Sequence, residues 1–277
     1  MPRTQVGAVE LYYELHGPEG APVVALVNGI LMNAATGWLA QRDAFAARYR
    51  LLLHDCRGQG QSDHPDEPYS MAVHADDLAG LFDALGIARA HVLGLSYGGE
   101  VAQAFAIAHP ERLLGLVLAN TVSEVGPELR LVVESWADVA RRAVPDEFFR
   151  VTVPWNFSPP FIRNHQALLE EARRRYAQLD YPAVVRLCDA FLALHLTPDL
   201  HRIAASTSVI WAEHDLIKGR AYADILLRHI VGAEGHEVRG AGHAAHWEQA
   251  AEFNRIALEC LARIDASTRG PRGSTSV

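Results

Sequence analysis

The sequence predicts an α/β fold with a mostly parallel central sheet flanked by helices. Apolar segments of strand length alternate with helical patterns from residue 6 to about residue 121, an order that favours parallel strands joined by helices. Strand patterns return near residue 206, after a long helical interval. The chain has 277 residues, 49% of them hydrophobic, which is enough to bury a large core in one domain.

The individual strands are predicted from apolar, β-branched runs that end in glycine or polar residues. In chain order such runs lie at 91–95, 113–118, 206–212 and 236–239, and a helical pattern at 100–106 separates the first two. Ligands of such sheets bind outside the carboxyl ends of the strands. The loops that follow these strands are therefore the place to look for functional residues.

A helical cap is predicted above the sheet. Residues 123–200 lack strand patterns and are helical and rich in aromatic residues. We expect this segment to be inserted between the sixth and seventh strands. The predicted limits are 1–121 and 203–267 for the core, 122–202 for the cap and 268–277 for a polar, disordered tail.

Residues 94–98, Gly-Leu-Ser-Tyr-Gly, lie between a predicted strand and a predicted helix and indicate a nucleophile elbow. A sharp strand-to-helix turn lifts the hydroxyl of Ser96 clear of the sheet, where a base can reach it. Gly94 and Gly98 leave room for the turn, since side chains there would collide with the neighbouring strand and helix. A glycine-rich turn without chemistry is the alternative, and the strand and helix around the motif weigh against it.

An acid and a base are predicted in the loops after two later strands, in the order serine, acid, histidine. Asp215 is the predicted acid, with Glu213 and Glu124 as alternatives. His243 follows a glycine-containing loop segment and is the predicted base. His246 is expected to line or support the site. A metal site at the two histidines is not favoured, because no carboxylate or cysteine stands at a convincing spacing.

With these motifs the chain resembles the α/β-hydrolase fold superfamily over most of residues 6–265. Residues 23–29, Val-Val-Ala-Leu-Val-Asn-Gly, are similar to the family's strand that ends in His-Gly before the oxyanion loop. Residues 50–63 closely resemble the family's strand followed by D-x-R-G-x-G-x-S-D, a segment more distinctive than the elbow. The resemblance implies an α/β-hydrolase fold of the serine-nucleophile branch, which includes esterases and enol-lactonases.

One departure from the family pattern is Asn28, which stands where histidine is common. This variant resembles the enol-lactonase branch and some esterases and thioesterases. The resemblance implies an oxyanion hole built from the backbone N–H groups of Tyr97 and of the residue after Gly29. That residue is Ile30, with Leu31 as the alternative. Asn28 is expected either to order this loop or to contribute to the site.

The cap is expected to form an apolar acyl pocket above the nucleophile. The predicted lining residues are Trp136 and Trp155 of the cap and Asn28, Leu31 and His246 of the core. For each cap aromatic the alternative is that it only packs the cap on itself or on the core.

Composition limits the partners and the compartment. The net charge is −8, with 25 basic against 33 acidic residues, which argues against nucleic acid because phosphate binding needs a basic face. No apolar leader and no run of eighteen apolar residues is present, so we expect a cytoplasmic protein without a membrane partner. Three widely spaced cysteines suit reduced thiols. The oligomeric state stays open, with a homodimer as one possibility.

These observations predict a serine hydrolase that cleaves a small carboxylic ester or lactone through an acyl-enzyme. Ser96 attacks, His243 transfers the proton and Asp215 orients the imidazole, so the chemistry needs neither a metal nor an organic cofactor. The same fold also fits a carbon–carbon bond hydrolase, a perhydrolase or an acyltransferase. A ligand-binding protein with little turnover is a further alternative.

Overall fold

The computed structural model describes residues 2–268, over which the chain forms eight strands, twelve α-helices and two short 3₁₀ helices. The strands are β1 (Arg3–Val6), β2 (Val9–His16), β3 (Val23–Val27), β4 (Arg50–His54), β5 (Ala90–Leu95), β6 (Leu113–Ala119), β7 (Thr207–Ala212) and β8 (Glu234–Val238). The helices are α1 (Ala34–Gly37), α2 (Leu39–Ala46), α3 (Met71–Ala84), α4 (Tyr97–Ala108), α5 (Pro127–Arg141), α6 (Pro145–Asn156), α7 (Pro159–Asn164), α8 (Gln166–Tyr176), α9 (Tyr181–Leu192), α10 (Arg220–His229), α11 (Ala245–Glu248) and α12 (Ala250–Thr268). The 3₁₀ helices are Pro110–Arg112 and Thr197–Arg202. Of the predicted tail 268–277, residues 269–277 lie outside the described residues.

All eight described strands form one sheet in the order β1-β2-β4-β3-β5-β6-β7-β8. β1 and β2 pair antiparallel, and β2 pairs antiparallel with β4. From β4 to β8 every neighbouring pair is parallel. This arrangement confirms the predicted fold class, and it brings the carboxyl ends of six parallel strands to one edge of the sheet.

Helices cover both faces of the sheet, and the central strands are accordingly buried and mostly apolar. β5 and β7 are buried at every position, as expected for parallel strands covered on both sides. Val92 lies in one buried cluster with Phe82 of α3 and Phe105 of α4, whereas its neighbour Leu93 lies in a second cluster with Phe253 of α12. No helix among residues 2–268 combines the length and apolar character needed to cross a bilayer.

The segment between β6 and β7, which the structure describes throughout, forms the five helices α5 to α9. Helix α5 packs against α9, and α6 packs against α8. The 3₁₀ helix at Thr197–Arg202 then leads the chain back to β7. The helical insertion between the sixth and seventh strands is therefore present as predicted, while its limits of 122 and 202 stay a prediction.

Candidate active site

Ser96 lies at the turn between β5 and α4, with φ of 54° and ψ of −119°. A positive φ costs a non-glycine residue about 1–3 kcal/mol, so the surrounding structure must hold the turn in place. A Cβ atom on Gly94 would lie 2.2 Å from the carbonyl oxygen of Gly98, and one on Gly98 would lie 2.1 Å from that of Val27. Both glycines are therefore required by close backbone contacts.

Asp215 lies in the loop after β7, and both of its carboxylate oxygens are occupied. Oδ1 accepts hydrogen bonds from the backbone N–H groups of Ile217 and Lys218, each at 2.9 Å. Oδ2 accepts from Nδ2 of Asn120 at 2.9 Å and is 2.8 Å from Nδ1 of His243. The carboxylate is thus held in one orientation, with a single oxygen directed at the imidazole.

His243 joins the acid to the nucleophile. Its Nε2 atom lies 2.8 Å from Oγ of Ser96, on the opposite side of the ring from Asp215. Burial opposes charge on Asp215, but the attraction of His243 and the hydrogen bonds from His243, Asn120 and the Lys218 backbone outweigh it and lower the pKa of Asp215. The three residues predicted from sequence form one hydrogen-bonded chain.

The cap helps to hold the histidine loop. The N–H of Ala244 donates to the carbonyl of Asn156 at 2.8 Å. A Cβ atom on Gly242 would lie 2.6 Å from the backbone nitrogen of Ser158, so glycine permits this close approach. Ser158 in turn donates its N–H to Glu248 at 3.0 Å. The position of His243 therefore depends on contacts with residues 156–158 of the cap.

The two alternative acids lie elsewhere. The side chain of Glu213 is exposed and accepts a hydrogen bond from the N–H of Gly240 at 2.9 Å. Glu124 lies in an isolated β-bridge with His195. Asp215 is the carboxylate that contacts the imidazole of His243, so the geometry favours it over both.

Asn120 and a buried ion pair were not predicted. Asn120 is fully buried at the carboxyl end of β6 with φ of 47°, and it donates to Asp215. Nζ of Lys218 lies 2.8 Å from Oε1 of Glu100, and the two side chains are 5% and 0% exposed. The pair ties the acid loop to α4, directly behind the nucleophile. The only sequence signal for the role of Asn120 is its position directly after a buried strand.

A cavity of about 510 Å³ opens above the site. It is bordered by Ser96 and His243, by Ile30, Leu31 and His246 of the core, and by apolar cap residues that include Val153, Phe157, Leu179 and Leu187. Trp136 lines a second, small pocket together with Ser96 and Tyr97. Trp155 lines neither cavity and packs against the apolar core, which corrects its predicted place in the pocket.

Asn28 also lies outside both cavities, because it is fully buried beneath the oxyanion loop. Its Nδ2 donates to the carbonyl of His54 at 2.9 Å and to Oδ1 of Asp55 at 3.2 Å, and its Oδ1 accepts from Nε1 of Trp38 at 2.7 Å. Asp55 accepts from the N–H of Ala34 as well. Asn28 therefore orders the loop, which corrects its assignment to the pocket.

The proposed oxyanion donors lie beside the nucleophile. Tyr97 is the first residue of α4, where N–H groups have no acceptor within the helix. Ile30 lines both cavities together with Ser96. Leu31 has φ of 65°, a strained value that marks the sharp turn of this loop.

His246 is 4% exposed and borders the larger cavity. Among the residues that the structure describes, neither ring nitrogen has a hydrogen-bond partner. Burial, together with the nearby His243, lowers the pKa of His246 to about 3, so its ring is neutral at physiological pH. Trp38 and Phe253 pack around it.

Comparison with known proteins places this geometry in a family. The model of the alpha/beta hydrolase fold family matches residues 22–250. A relative from Caulobacter vibrioides, provisionally named carbamate hydrolase RutD, is 28% identical over 94% of this chain and 99% of its own length. The 2-hydroxy-6-oxononadienedioate/2-hydroxy-6-oxononatrienedioate hydrolase of Paraburkholderia xenovorans is 32% identical over 92% of each chain. The crystal structure of the enol-lactonase from Burkholderia xenovorans LB400 superposes with a TM-score of 0.88 and 30% identity, covering 94% of this chain and all of that one.

The fold and these relatives together define a hydrolase. The chain belongs to the α/β-hydrolase fold family, as its sequence motifs indicated.

Proposed function

We propose that the protein is a serine hydrolase that cleaves a small carboxylic ester or lactone through an acyl-enzyme. The observation that carries the proposal is the continuous hydrogen-bonded chain from Ser96 through His243 to Asp215. Its serine end borders a cavity of about 510 Å³, a volume suited to a small organic substrate. The similarity to an enol-lactonase over the whole length of that protein supports the same reading.

The reaction follows from the positions of these groups. Ser96 attacks the acyl carbonyl while Nε2 of His243 takes its proton, and Asp215 stabilises the imidazolium through Nδ1. The N–H groups of Tyr97 and Ile30 stabilise the oxyanion. His243 then protonates the leaving oxygen, and the acyl-enzyme forms. Finally His243 takes a proton from a water molecule that attacks the acyl-enzyme, and it gives this proton to Oγ of Ser96 as the bond between the acyl carbon and Oγ breaks and the acid leaves.

A panel of substrates tests the proposal. Wild type and Ser96→Ala are assayed with p-nitrophenyl esters, an enol-lactone and an acyl-CoA thioester, and both are treated with a fluorophosphonate probe. We expect Ser96→Ala to lose on the order of 10⁶-fold in kcat and all labelling, since the nucleophile is removed. Asn28→Asp is unsuitable as a control, because it disturbs the oxyanion loop. Arg239→Gln is the control variant, since Arg239 is exposed, and we expect the fluorophosphonate probe to label it fully.

Full labelling of Ser96→Ala, or turnover of esters at the wild-type rate, would exclude Ser96 as the nucleophile. Labelling of wild type without turnover of any substrate in the panel would instead favour a ligand-binding protein. The expected cytoplasmic location and the lack of a nucleic-acid partner stay predictions.

A further inference from the structure

Asn156 is a cap residue that reaches the catalytic centre. It is the last residue of α6, it is half-buried, and it borders both cavities together with Ser96 and His243. Two hydrogen bonds hold it in place. Its backbone carbonyl accepts from the N–H of Ala244 at 2.8 Å, and its Nδ2 donates to the carbonyl of Thr152 at 2.8 Å. The mechanism described above gives this side chain no role.

The bond to Thr152 decides which atom of the Asn156 amide is free. A carbonyl oxygen can only accept hydrogen bonds, so the atom that contacts Thr152 must be the nitrogen. The oxygen, Oδ1, is then the free end and has no hydrogen-bond partner among the described residues. Unlike Oδ1 of Asn120, which is buried and unpaired, it remains accessible. The cap thus presents a fixed acceptor that a bound molecule can reach.

The small pocket brings this acceptor and the catalytic base together. The nucleophile, the base and both proposed oxyanion donors border it with Asn156, and the remaining walls are apolar except for Lys218. Nζ of Lys218 is engaged elsewhere, 2.8 Å from Oε1 of Glu100 and 4.4 Å from the centre of the Phe191 ring. The pocket therefore adjoins the place where the acyl carbon is bound, and Asn156 and His243 are its proton acceptors.

The size of this pocket suits one small molecule. Its volume is about 20 Å³, which is room for a single water molecule, and a bound water needs polar partners of the kind found here. The acyl chain is left to the larger cavity of about 510 Å³.

The second half of the reaction needs a water molecule in one orientation. Water has two O–H bonds, and Nε2 of His243 takes the proton of one of them during attack on the acyl-enzyme. Contact with His243 alone leaves the water free to rotate about that hydrogen bond. A second acceptor fixes the other O–H bond, so that a lone pair of the water oxygen points at the acyl carbon.

We propose that the small pocket is the site of the hydrolytic water and that Asn156 is a further catalytic residue, which orients this water. Oδ1 of Asn156 accepts a hydrogen bond from one O–H while Nε2 of His243 takes the other proton. The water oxygen then bonds to the acyl carbon, the bond to Oγ of Ser96 breaks, and His243 returns its proton to Oγ. This inference rests on the proposed function and concerns its second step.

Competition between water and methanol for one acyl-enzyme tests the proposal. Methanol has a single O–H, which His243 takes, so its attack does not need Oδ1 of Asn156. Wild type and Asn156→Leu are reacted with p-nitrophenyl acetate at one methanol concentration, and the ratio of methyl acetate to acetate is measured by NMR after subtraction of the uncatalysed reaction. Asn156→Ala replaces Asn156→Leu if that variant does not fold.

We expect this product ratio to rise about 10-fold in Asn156→Leu, because hydrolysis loses one hydrogen bond and methanolysis does not. The two products come from the same acyl-enzyme, so a loss of folded protein or a slower acylation does not change their ratio.

Single-turnover kinetics without methanol separate the two steps. Acylation is followed by p-nitrophenolate release at excess enzyme, and decay of the acyl-enzyme by quenching and protein mass spectrometry. In Asn156→Leu the acylation rate should stay within about two-fold of wild type, and the decay rate should fall about 10-fold.

Asn164→Leu is the matched control. Asn164 is also an asparagine at the end of a cap helix, α7, but it is exposed and borders neither cavity. We expect its product ratio and both of its rates to equal those of wild type.

An unchanged product ratio in Asn156→Leu overturns the inference. Slower acylation with unchanged decay of the acyl-enzyme would show that Asn156 binds the ester or its leaving group, and it overturns the inference as well. The same changes in Asn164→Leu would show a general response of the cap and have the same consequence. If wild type forms no acyl-enzyme, or if Ser96→Ala hydrolyses the ester as wild type does, the proposed function itself fails.

Discussion

At the scale of single residues, the orientation of the Asp215 carboxylate determines which ring nitrogen of His243 carries the proton. Two backbone N–H groups occupy Oδ1, and Asn120 and His243 share Oδ2. All four of these groups donate hydrogen bonds, so both Oδ1 and Oδ2 must be acceptors. The site is therefore specific for a carboxylate, and an amide of the same shape cannot replace it.

Asp215→Asn should consequently fold and yet lose on the order of 10⁴-fold in kcat. The amide oxygen of the new side chain must face the two N–H groups at Oδ1, so its NH₂ meets both Asn120 and Nδ1 of His243. Nδ1 then has to act as an acceptor, and the imidazole proton moves to Nε2, where the base is needed. Ester turnover and the melting temperature are the measurements.

Glu213→Gln is the control for this prediction. Its side chain is exposed and contacts the N–H of Gly240, so we expect a rate within about three-fold of wild type. A strongly impaired Glu213→Gln beside an active Asp215→Asn would show that the wrong carboxylate has been chosen.

The residues around the site show which parts of it were predictable. Ser96, Asp215 and His243 each follow a strand, and parallel strands place such positions at one edge, so local patterns were enough. The partners of these residues were not predictable. Asn120 and the Glu100–Lys218 pair make contacts between segments 95 and 118 residues apart, and no local spacing encodes those contacts.

At the scale of elements, strand prediction succeeded where burial is complete or nearly so. The runs at 113–118 and 206–212 correspond to Leu113–Ala119 and Thr207–Ala212. The run at 236–239 is observed as Glu234–Val238, an edge strand in which only Val238 is buried. An edge strand has a weaker apolar pattern, so the first residue of β8 could not be predicted from the sequence. Pocket residues of the cap were not fixed by sequence either, because helical periodicity does not tell which face meets the core.

The cap tryptophans give a prediction at this scale. Trp136 is 4% exposed, borders the small pocket with Ser96 and donates Nε1 to the carbonyl of Val151 at 3.0 Å. Trp136→Ala should shift the ratio of kcat/KM between p-nitrophenyl hexanoate and acetate about 10-fold toward the longer ester, since a pocket contact discriminates methylenes by about 1–3 kcal/mol.

Trp155→Ala provides the comparison, because Trp155 is half-buried and borders neither cavity. In Trp155→Ala the ratio of kcat/KM between p-nitrophenyl hexanoate and acetate should stay within about two-fold of wild type. Equal shifts in the two variants would mean that the cap responds as a whole and that Trp136 has no direct place in the acyl pocket.

At the scale of the whole molecule, burial holds several of the described histidines in the neutral form, and the effect is largest for His54, His74 and His246. Burial lowers the pKa of His54 to about 4, and it lowers the pKa of His74 and of His246 to about 3. The ordinary value is about 6.5 in an unfolded chain. Between these values the unfolded chain binds protons that the folded chain does not. The contribution of these three histidines to the free energy of unfolding therefore falls as the pH is lowered from about 6.5 toward 4.

His246→Leu tests this linkage at one position. The His246 ring nitrogens have no partner among the described residues, so the substitution removes a titrating group without breaking a hydrogen bond of its side chain. Between pH 6 and pH 4 the slope of the unfolding free energy should decrease by about 1.4 kcal/mol per pH unit, the contribution of one proton. Urea titrations at several pH values measure this slope.

Phe253→Leu is the control. It changes an apolar neighbour of His246 and should lower the free energy of unfolding by the same amount at every pH. A slope in His246→Leu equal to that of wild type would show that the buried ring is not excluded from protonation and that acid unfolding begins elsewhere in the chain.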